Sequence, residues 1–371
     1  GTLPPKFYVS SLSLLKSTLF VSGYMKKEQA LVALNCITGK SSIMALPGAG
    51  LRMSIQQMEP SEKEGILAVS ILYGKKKLEK TFQVCFIGED GKKVKEPLKL
   101  DKDPSKYILS ASITWLSASN YIISGSYSVD KNYRSNGIYI AEFDNDQLKF
   151  IKYHNFADLK NFLDFLNKRQ KEKLEKKVAR KKSQGKEDLL DAFVITHPVF
   201  EHSGEFVLIG EIFFPTYRTE TRVTYASGKA QTTYVTVFDG YQYSHATIIG
   251  MDMEGNKKWD HCFDMWLIYK PYSVIRNIRE VHTGNDIRLF FSTGRILQSC
   301  VISTGKLTEK ELGKIETEKE GDNVKWTGFT QSYYWYENYF ICYGTQMIKN
   351  TEDKKVDRKR TVFFVSKIKV D

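Results

Sequence analysis

The 371-residue chain carries five cysteines, widely spaced and without a CxxC pair, too few and too scattered for a disulfide framework or a zinc site. Four of them sit in or beside apolar runs, so buried free thiols are expected, each acting as a small hydrophobe. No apolar run approaches the ~18 residues of a membrane span. The chain opens Gly1-Thr2-Leu3-Pro4-Pro5, without a basic-then-apolar leader. HExxH, GxSxG and P-loop motifs are missing, which removes the usual zinc-protease, α/β-hydrolase and nucleotide signatures. The six histidines include His245 and His261, near Asp239, Asp260 and Asp264. Alternate strand residues face opposite ways, so His261 and Asp264 point apart. A polar outer strand is expected there, with neither metal nor cofactor.

Hydrophobic residues are 42% and charged residues 26% of the chain, which excludes global disorder and allows a large core. The net charge is +12, and half of it lies in residues 160–188, where eleven Lys/Arg face five Asp/Glu. This is one local basic element rather than a general face for nucleic acid.

The chain repeats. The stretch HATIIGMDMEGNKKWDHCF (245–263) reads as strand, turn, strand. ALVALNCITGKSSIMAL (30–46), FQVCFIGEDGKKVKEPL (82–98), GIYIAEFDNDQLKFIKY (137–153) and ILQSCVISTGKLTEKEL (296–312) follow the same plan, and TVFFVSKIKVD (361–371) stops where its turn would begin. Before each hairpin lies a short, dense apolar run, at 18–24, 65–71, 120–126, 205–211, 286–293 and 338–345. Such runs suit strands buried on both faces. One more strand precedes each: FYVSSLSLL, LRMSIQQM, YILSASITWL, FVITHPVF, YSVIRNIREV and VKWTGFTQ. Six four-stranded units in series predict an all-β, six-bladed β-propeller within a single domain, 1–371, because one such sheet cannot bury its faces alone. Without two insertions the units average about 51 residues, near the ~40–50 of propeller repeats. Gly23, Gly125, Gly210 and Gly344 are expected where backbones approach closely. Unit six lacks an outer strand, and LPPKFYVS (3–10) is the nearby latch candidate, made poor by Pro4-Pro5.

IIGMDMEGNKKW (248–259), with ALNCITGKSSI (33–43), resembles the repeat of quinoprotein-type propellers: apolar strand, Asp, turn Gly, then Trp. The adjacent cysteine pair that accompanies the quinone in many such dehydrogenases is absent. With VFDGYQYSHA (237–246) before it, the arrangement also resembles uncharacterised propeller-type envelope proteins of Bacteroidota. That likeness implies a periplasmic, outer-membrane-associated or secreted place, with a lipid anchor upstream of Gly1 as one form of it.

Two insertions interrupt the repeat. Residues 157–192 are expected to form a basic helical hairpin, with Asn155 as a cap and Leu159, Phe162, Leu163, Phe165 and Leu166 as an apolar stripe. The polar part is either a solvated Lys/Glu helix or an arm for an acidic partner; its i,i+4 Glu–Lys pairs argue against nucleic acid. Residues 216–243 are expected to form a long β-hairpin whose arms reach about 26 Å. Tyr217, Tyr225, Tyr234, Tyr241 and Tyr243 concentrate there and are the candidate partner-binding residues, since Tyr offers contact area at low entropy cost. The alternative is tyrosines that only pack the hairpin onto its neighbours.

First strands line a propeller's channel. Their polar residues include Arg52, His197, Arg276 and Lys325, a cationic set suited to an anion rather than to the calcium of lactonase-type propellers, which needs oxygen ligands. The leading expectation is a monomeric, non-catalytic binding or scaffold protein that meets a protein or glycan through units three and four. The alternative is an enzyme acting on a carbohydrate or anionic metabolite at the channel mouth.

Overall fold

The computed structural model describes residues 3–369 apart from 27, 48–50, 77–78, 101–102, 118, 131–133, 188, 227–228, 268, 316, 318–320, 338, 351 and 353–358. Six antiparallel sheets follow one another along the chain. The first is β1 (Phe7–Leu15), β2 (Thr18–Met25), β3 (Glu28–Asn35) and β4 (Ser41–Ile43). The second is β5 (Arg52–Ser61), β6 (Ile66–Lys76), β7 (Glu79–Gly88) and β8 (Lys93–Lys99). The third is β9 (Tyr107–Ile108) with β10 (Ser112–Trp115), β11 (Asn120–Ser128), β12 (Gly137–Asp144) and β13 (Gln147–Asn155). A 3-10 turn (Phe156–Asp158) and helix α1 (Lys168–Ser183) intervene. The fourth sheet is β14 (Phe193–Thr196) and β15 (Phe200–His202) with β16 (Glu205–Ala226), β17 (Lys229–Met251) and β18 (Lys257–Asp264). The fifth is β19 (Arg279–Thr283), β20 (Asp286–Thr293), β21 (Ile296–Ser303) and β22 (Lys306–Lys314). The sixth has three strands, β23 (Asp322–Tyr336), β24 (Tyr339–Asn350) and β25 (Arg360–Lys369). The fold is the all-β, six-bladed β-propeller that the repeat predicts, with a helical insertion and a long hairpin.

The chain forms two compact units, one of residues 1–160, 167–209 and 249–258, the other of 161–166, 210–248 and 259–371. In the first, Phe20, Leu31, Leu67, Val69 and Ile71 fill the space between sheets one and two. Phe82, Phe86, Tyr121 and Phe143 do the same between sheets two and three. In the second unit Phe290 meets Phe340 edge-to-face at 4.3 Å between sheets five and six. Burying each such side chain contributes about 1.5–3 kcal/mol. All five cysteines are free; Cys36 is exposed and the others are buried. Burial pushes the Cys85 thiol up to about 12. No helix of the described residues is long and apolar enough to cross a membrane.

The dense runs are the second strands β2, β6, β11, β16, β20 and β24. A recurrent local device sits on them. Gly23, Gly125 and Gly344 each lie opposite a break or bulge in the first strand, and a Cβ at any of them would overlap the carbonyl oxygen of Tyr8, Ser110 or Phe329 respectively. Glycine there lets the bulged first strand close on the second. The hairpin turns repeat as well. Asn35 Oδ1 accepts from the Ile37 and Thr38 N–H groups before Gly39, and Asp252 Oδ1 accepts from Glu254 and Asn256 around Gly255. The polar turn of sheet three places both Asn145 and Asp146 at positive φ, as a two-residue hairpin requires.

Three expectations change. Leu159–Leu166 make turns instead of a helical stripe, because the Asn161 N–H is taken by the Asp260 carboxylate at 2.7 Å, and α1 starts only at Lys168, capped by Asn167. Asn167 and Gln170 form a reciprocal capping box there, while Asn155 caps the short 3-10 turn. The insertion therefore holds one helix, with no buried residue, in place of a helical hairpin. Residues 272–278 form no strand; β19 begins at Arg279. Segment 3–10 is not an outer strand of sheet six, since Phe7–Ser10 belong to β1, where Phe7–Val9 pair with β2.

Candidate functional site

β16 and β17 run 22 and 23 residues, more than twice the length of their neighbour β18. Their inner halves are buried strand: Phe206–Phe213 and Tyr243–Met251. Their outer halves alternate Thr, Tyr, Val and charged residues, a composition suited to strands wet on both sides. The turn at 227–228 lies outside the described residues.

The hairpin has two different faces. Tyr217 and Tyr225 are eight apart on β16, and Tyr234 and Phe238 are four apart on β17, so each pair shares a side. The rings of Tyr217 and Phe238 meet edge-to-face at 6.0 Å, which puts both pairs on one face. Tyr217, Tyr225 and Tyr234 are 62%, 79% and 75% exposed. The remaining residues include a charged chain. Arg218 donates to Glu220 Oε1 from Nε and Nη2 at 3.2 and 2.8 Å, and to Asp239 Oδ1 at 3.0 Å. Asp239 Oδ2 accepts from Lys270 at 3.0 Å. The Lys270 and Arg218 bonds hold the Asp239 carboxyl below the usual range, and Arg218 does the same for Glu220.

At the hairpin's base, residues 265–267 and 269–278 run as a strap across the second unit. The Tyr241 N–H donates to Pro271 O at 2.8 Å, and Gln242 Nε2 to Leu267 O at 2.9 Å. The Tyr243 hydroxyl donates to Ile275 O and accepts from Ile275 N, at 2.6 and 2.9 Å. The buried Glu211 carboxylate accepts from Asn277 N, Ile278 N and Asn277 Nδ2 at 2.7, 2.8 and 3.0 Å. These bonds explain why 272–278 are not a strand: their backbone groups are already taken by side chains of sheet four.

Of the five hairpin tyrosines, three are thus displayed together. Tyr241 is half-buried, and Tyr243 is buried and clamps the strap, so it offers a partner no surface. Burial raises its hydroxyl above the ordinary range. Among the channel residues, the side chain of Arg52 lies outside the described residues. His197 is buried after β14, its N–H donating to Ile209 O. Arg276 sits in the strap, where its carbonyl accepts from Arg279, whose guanidinium also reaches Ser332 O. Lys325 is exposed at the other end of β23, roughly 20 Å along the strand from Ser332 at ~3.3 Å per residue. Arg276 and Lys325 therefore do not converge. Lys325 stands instead beside Trp326, Met347, Lys349 and Lys359, a shallow groove that sequence reasoning missed.

His261 Nε2 pairs with Gly305 O at 3.0 Å, and Asp260 holds Asn161. His245 is buried with Ser244 Oγ at Nδ1. Among the described residues no three His, Cys, Asp or Glu side chains group as a metal site. Reasoning from sequence also missed Glu211 and the strap. The signal for the strap was LIYKPYS (267–273), whose Pro271 demotes a central strand.

No family model matches the chain, and no curated protein matches it. Among solved structures it is similar to the β-propeller domain of the Trilobed protease from Pyrococcus furiosus, at 8% identity, over 98% of this chain and 97% of that one, with a TM-score of 0.31. The polysaccharide lyase Uly1 is 10% identical over 100% and 91% of the two chains, with a TM-score of 0.37. A prolyl endopeptidase is 10% identical with a TM-score of 0.33; the match takes in 94% of this chain and spans only 55% of that protein's length. At these identities no activity transfers.

Proposed function

We propose that the chain is a non-catalytic binding or scaffold protein of the cell envelope or secreted space, and that it grips a protein or glycan partner with the tyrosine face of the β16–β17 hairpin. The observation that carries this reading is the joint display of Tyr217, Tyr225 and Tyr234 on one face of an arm longer than its sheet needs. Ordering an exposed arm costs conformational entropy that solvent contacts recover poorly. Aromatic anchors that become buried in a complex recover it. The opposite face, with its Arg218–Glu220–Asp239 chain, stiffens the arm and keeps it wet. The envelope or secreted location rests on the resemblance of 237–259 to Bacteroidota envelope proteins.

The test is affinity capture from the source organism's envelope fraction with the parent and with Tyr225→Ala/Tyr234→Ala. Loss of central aromatic anchors typically costs about 2 kcal/mol or more, some thirtyfold in affinity. Equal retention of every partner by the double variant would make the hairpin structural only.

A further inference from the structure

Beneath the strap, wholly within the second unit, is a cavity of about 290 Å³. Its lining comes from the strap, including Tyr269, Tyr272 and Asn277, from the end of β20 at Ser292–Gly294 and from the β23 stretch Phe329–Gln331. The volume lies near the low end of the ~300–1,000 Å³ of small-molecule sites, room for one ring-sized ligand. We infer that this cavity is a binding site for a neutral saccharide unit, a hexose or N-acetylhexosamine, separate from the tyrosine face of the hairpin.

Charge excludes the first class of alternatives. Among the described residues, no Asp, Glu, Lys, Arg or His lines the cavity. An ionic ligand would lose its water there without gaining a counter-charge, which is strongly unfavourable. The walls are of two kinds. Tyr269, Tyr272 and Phe329 give aromatic surface, while Ser273 and Thr293 add hydroxyls. Tyr269 and Phe329 stand 6.3 Å apart and 59° from parallel, so they form no slot for a flat heterocycle. A puckered ring with C–H on one side and hydroxyls around its rim matches this mixture.

The two amides sharpen the reading. Asn277 Nδ2 already donates to Glu211 Oε2 at 3.0 Å and to Ile275 O at 3.3 Å, so the group it presents to a ligand is its acceptor, Oδ1. Gln331 is held the other way. Its Oε1 accepts from the Tyr343 hydroxyl at 3.0 Å, so the group it presents is its donor, Nε2. One oriented acceptor and one oriented donor suit hydroxyl or N-acyl groups, each of which can complement both. An apolar ligand would leave both amides unanswered. The site is also preformed: Glu211, Tyr243, Tyr241 and Gln242 fix the strap before any ligand arrives.

The experiment is saturation-transfer NMR and calorimetry on the full chain. The probes are glucose, galactose, mannose, N-acetylglucosamine and N-acetylgalactosamine, with glucuronate and glucosamine 6-phosphate as charged counterparts. At least one neutral probe binds with a millimolar or tighter Kd, and its charged counterpart binds at least about tenfold more weakly, a gap of ~1.4 kcal/mol. Gln331→Glu retains an acceptor for Tyr343 while replacing the donor by a charge, and it abolishes this binding with the fold intact by circular dichroism. Tyr225→Ala/Tyr234→Ala leaves it unchanged, so failure here and failure of the hairpin reading are distinguishable. The inference is overturned if no neutral probe binds at millimolar concentration, if charged probes bind equally well, or if Gln331→Glu binds like the parent.

Discussion

Phe165 lies flat on His245, the two rings 3.8 Å apart at their centroids and 12° from parallel. Phe162 closes the imidazole from its edge at 5.1 Å. This aromatic seat buries His245 and lowers its pKa from 6.5 to about 3. The unfolded chain therefore takes up a proton near pH 6.5 that the folded chain refuses until about pH 3. The stabilising contribution is complete above pH 6.5 and is lost as pH falls towards 3, by up to ~1.4 kcal/mol per pH unit. His154, also depressed by burial, adds to the same limb. Denaturant titrations between pH 7 and 4 should show this slope, and His245→Phe should flatten it. Parallel slopes in parent and variant would assign the acid sensitivity elsewhere.

Gly125→Ala should destabilise the chain by about 1–3 kcal/mol, since its Cβ would overlap Ser110 O and the bulged strand must shift. Gly313→Ala is the matched control. Its Cβ would meet Leu297 at an ordinary 3.5 Å, so a change within about 0.5 kcal/mol is expected. Equal urea midpoints for the two variants would contradict this account of the repeat's glycines.

No residue of helix α1 is fully buried. A Gly/Ser linker long enough to span its ~24 Å should replace Lys168–Ser183 with the thermal midpoint unchanged to within a few degrees. Phe162→Ala, in the turns just before it, should instead cost about 3–5 kcal/mol, because that ring is buried against His245. Scanning calorimetry separates the two outcomes, and a collapse of the linker variant would place the helix in the core.

Two carboxylates near the strap should behave in opposite ways. Asp239 bridges exposed Arg218 and half-buried Lys270, and Asp239→Ala should cost about 1 kcal/mol or less. Glu211→Ala removes the acceptor of the Asn277 and Ile278 N–H groups, the latter buried, and should cost about 1–3 kcal/mol. Hydrogen exchange at the Asn277 and Ile278 amides should accelerate in Glu211→Ala alone.

The six second strands were legible because each carries a short, dense apolar run bounded by turn residues, although β12 and the inner half of β17 are as deeply buried. Gly23, Gly125 and Gly344 were legible for a related reason: a small residue inside such a run has few other uses. The strap was not. Tyr272–Ile278 carry the composition of a strand, but Glu211 and Tyr243, tens of residues earlier, take their backbone groups. Leu159–Leu166 mislead similarly. Their spacing fits a helix, while Asp260, a hundred residues on, removes the Asn161 N–H and His245 offers Phe165 a seat. Tyr217, Tyr225 and Tyr234 could be named from sequence but not sorted from Tyr243, because all five sit in strands and only packing distinguishes them. The cavity amides, Asn277 and Gln331, come from distant segments, and nothing local marks either.

Among the described residues the sixth sheet has three strands and β25 is its edge, with Thr361-Val362-Phe363-Phe364-Val365 at its centre and Phe363 and Val365 exposed. Open edges with such sequences invite a second chain to add itself as a further strand and propagate. Arg360 stands at one end of the stretch, and Lys367 and Lys369 at the other. A copy arriving in parallel register would set these cations against their own kind. The charges that close off the segment thus act as gatekeepers of solubility, and colloidal behaviour at high concentration depends on keeping them.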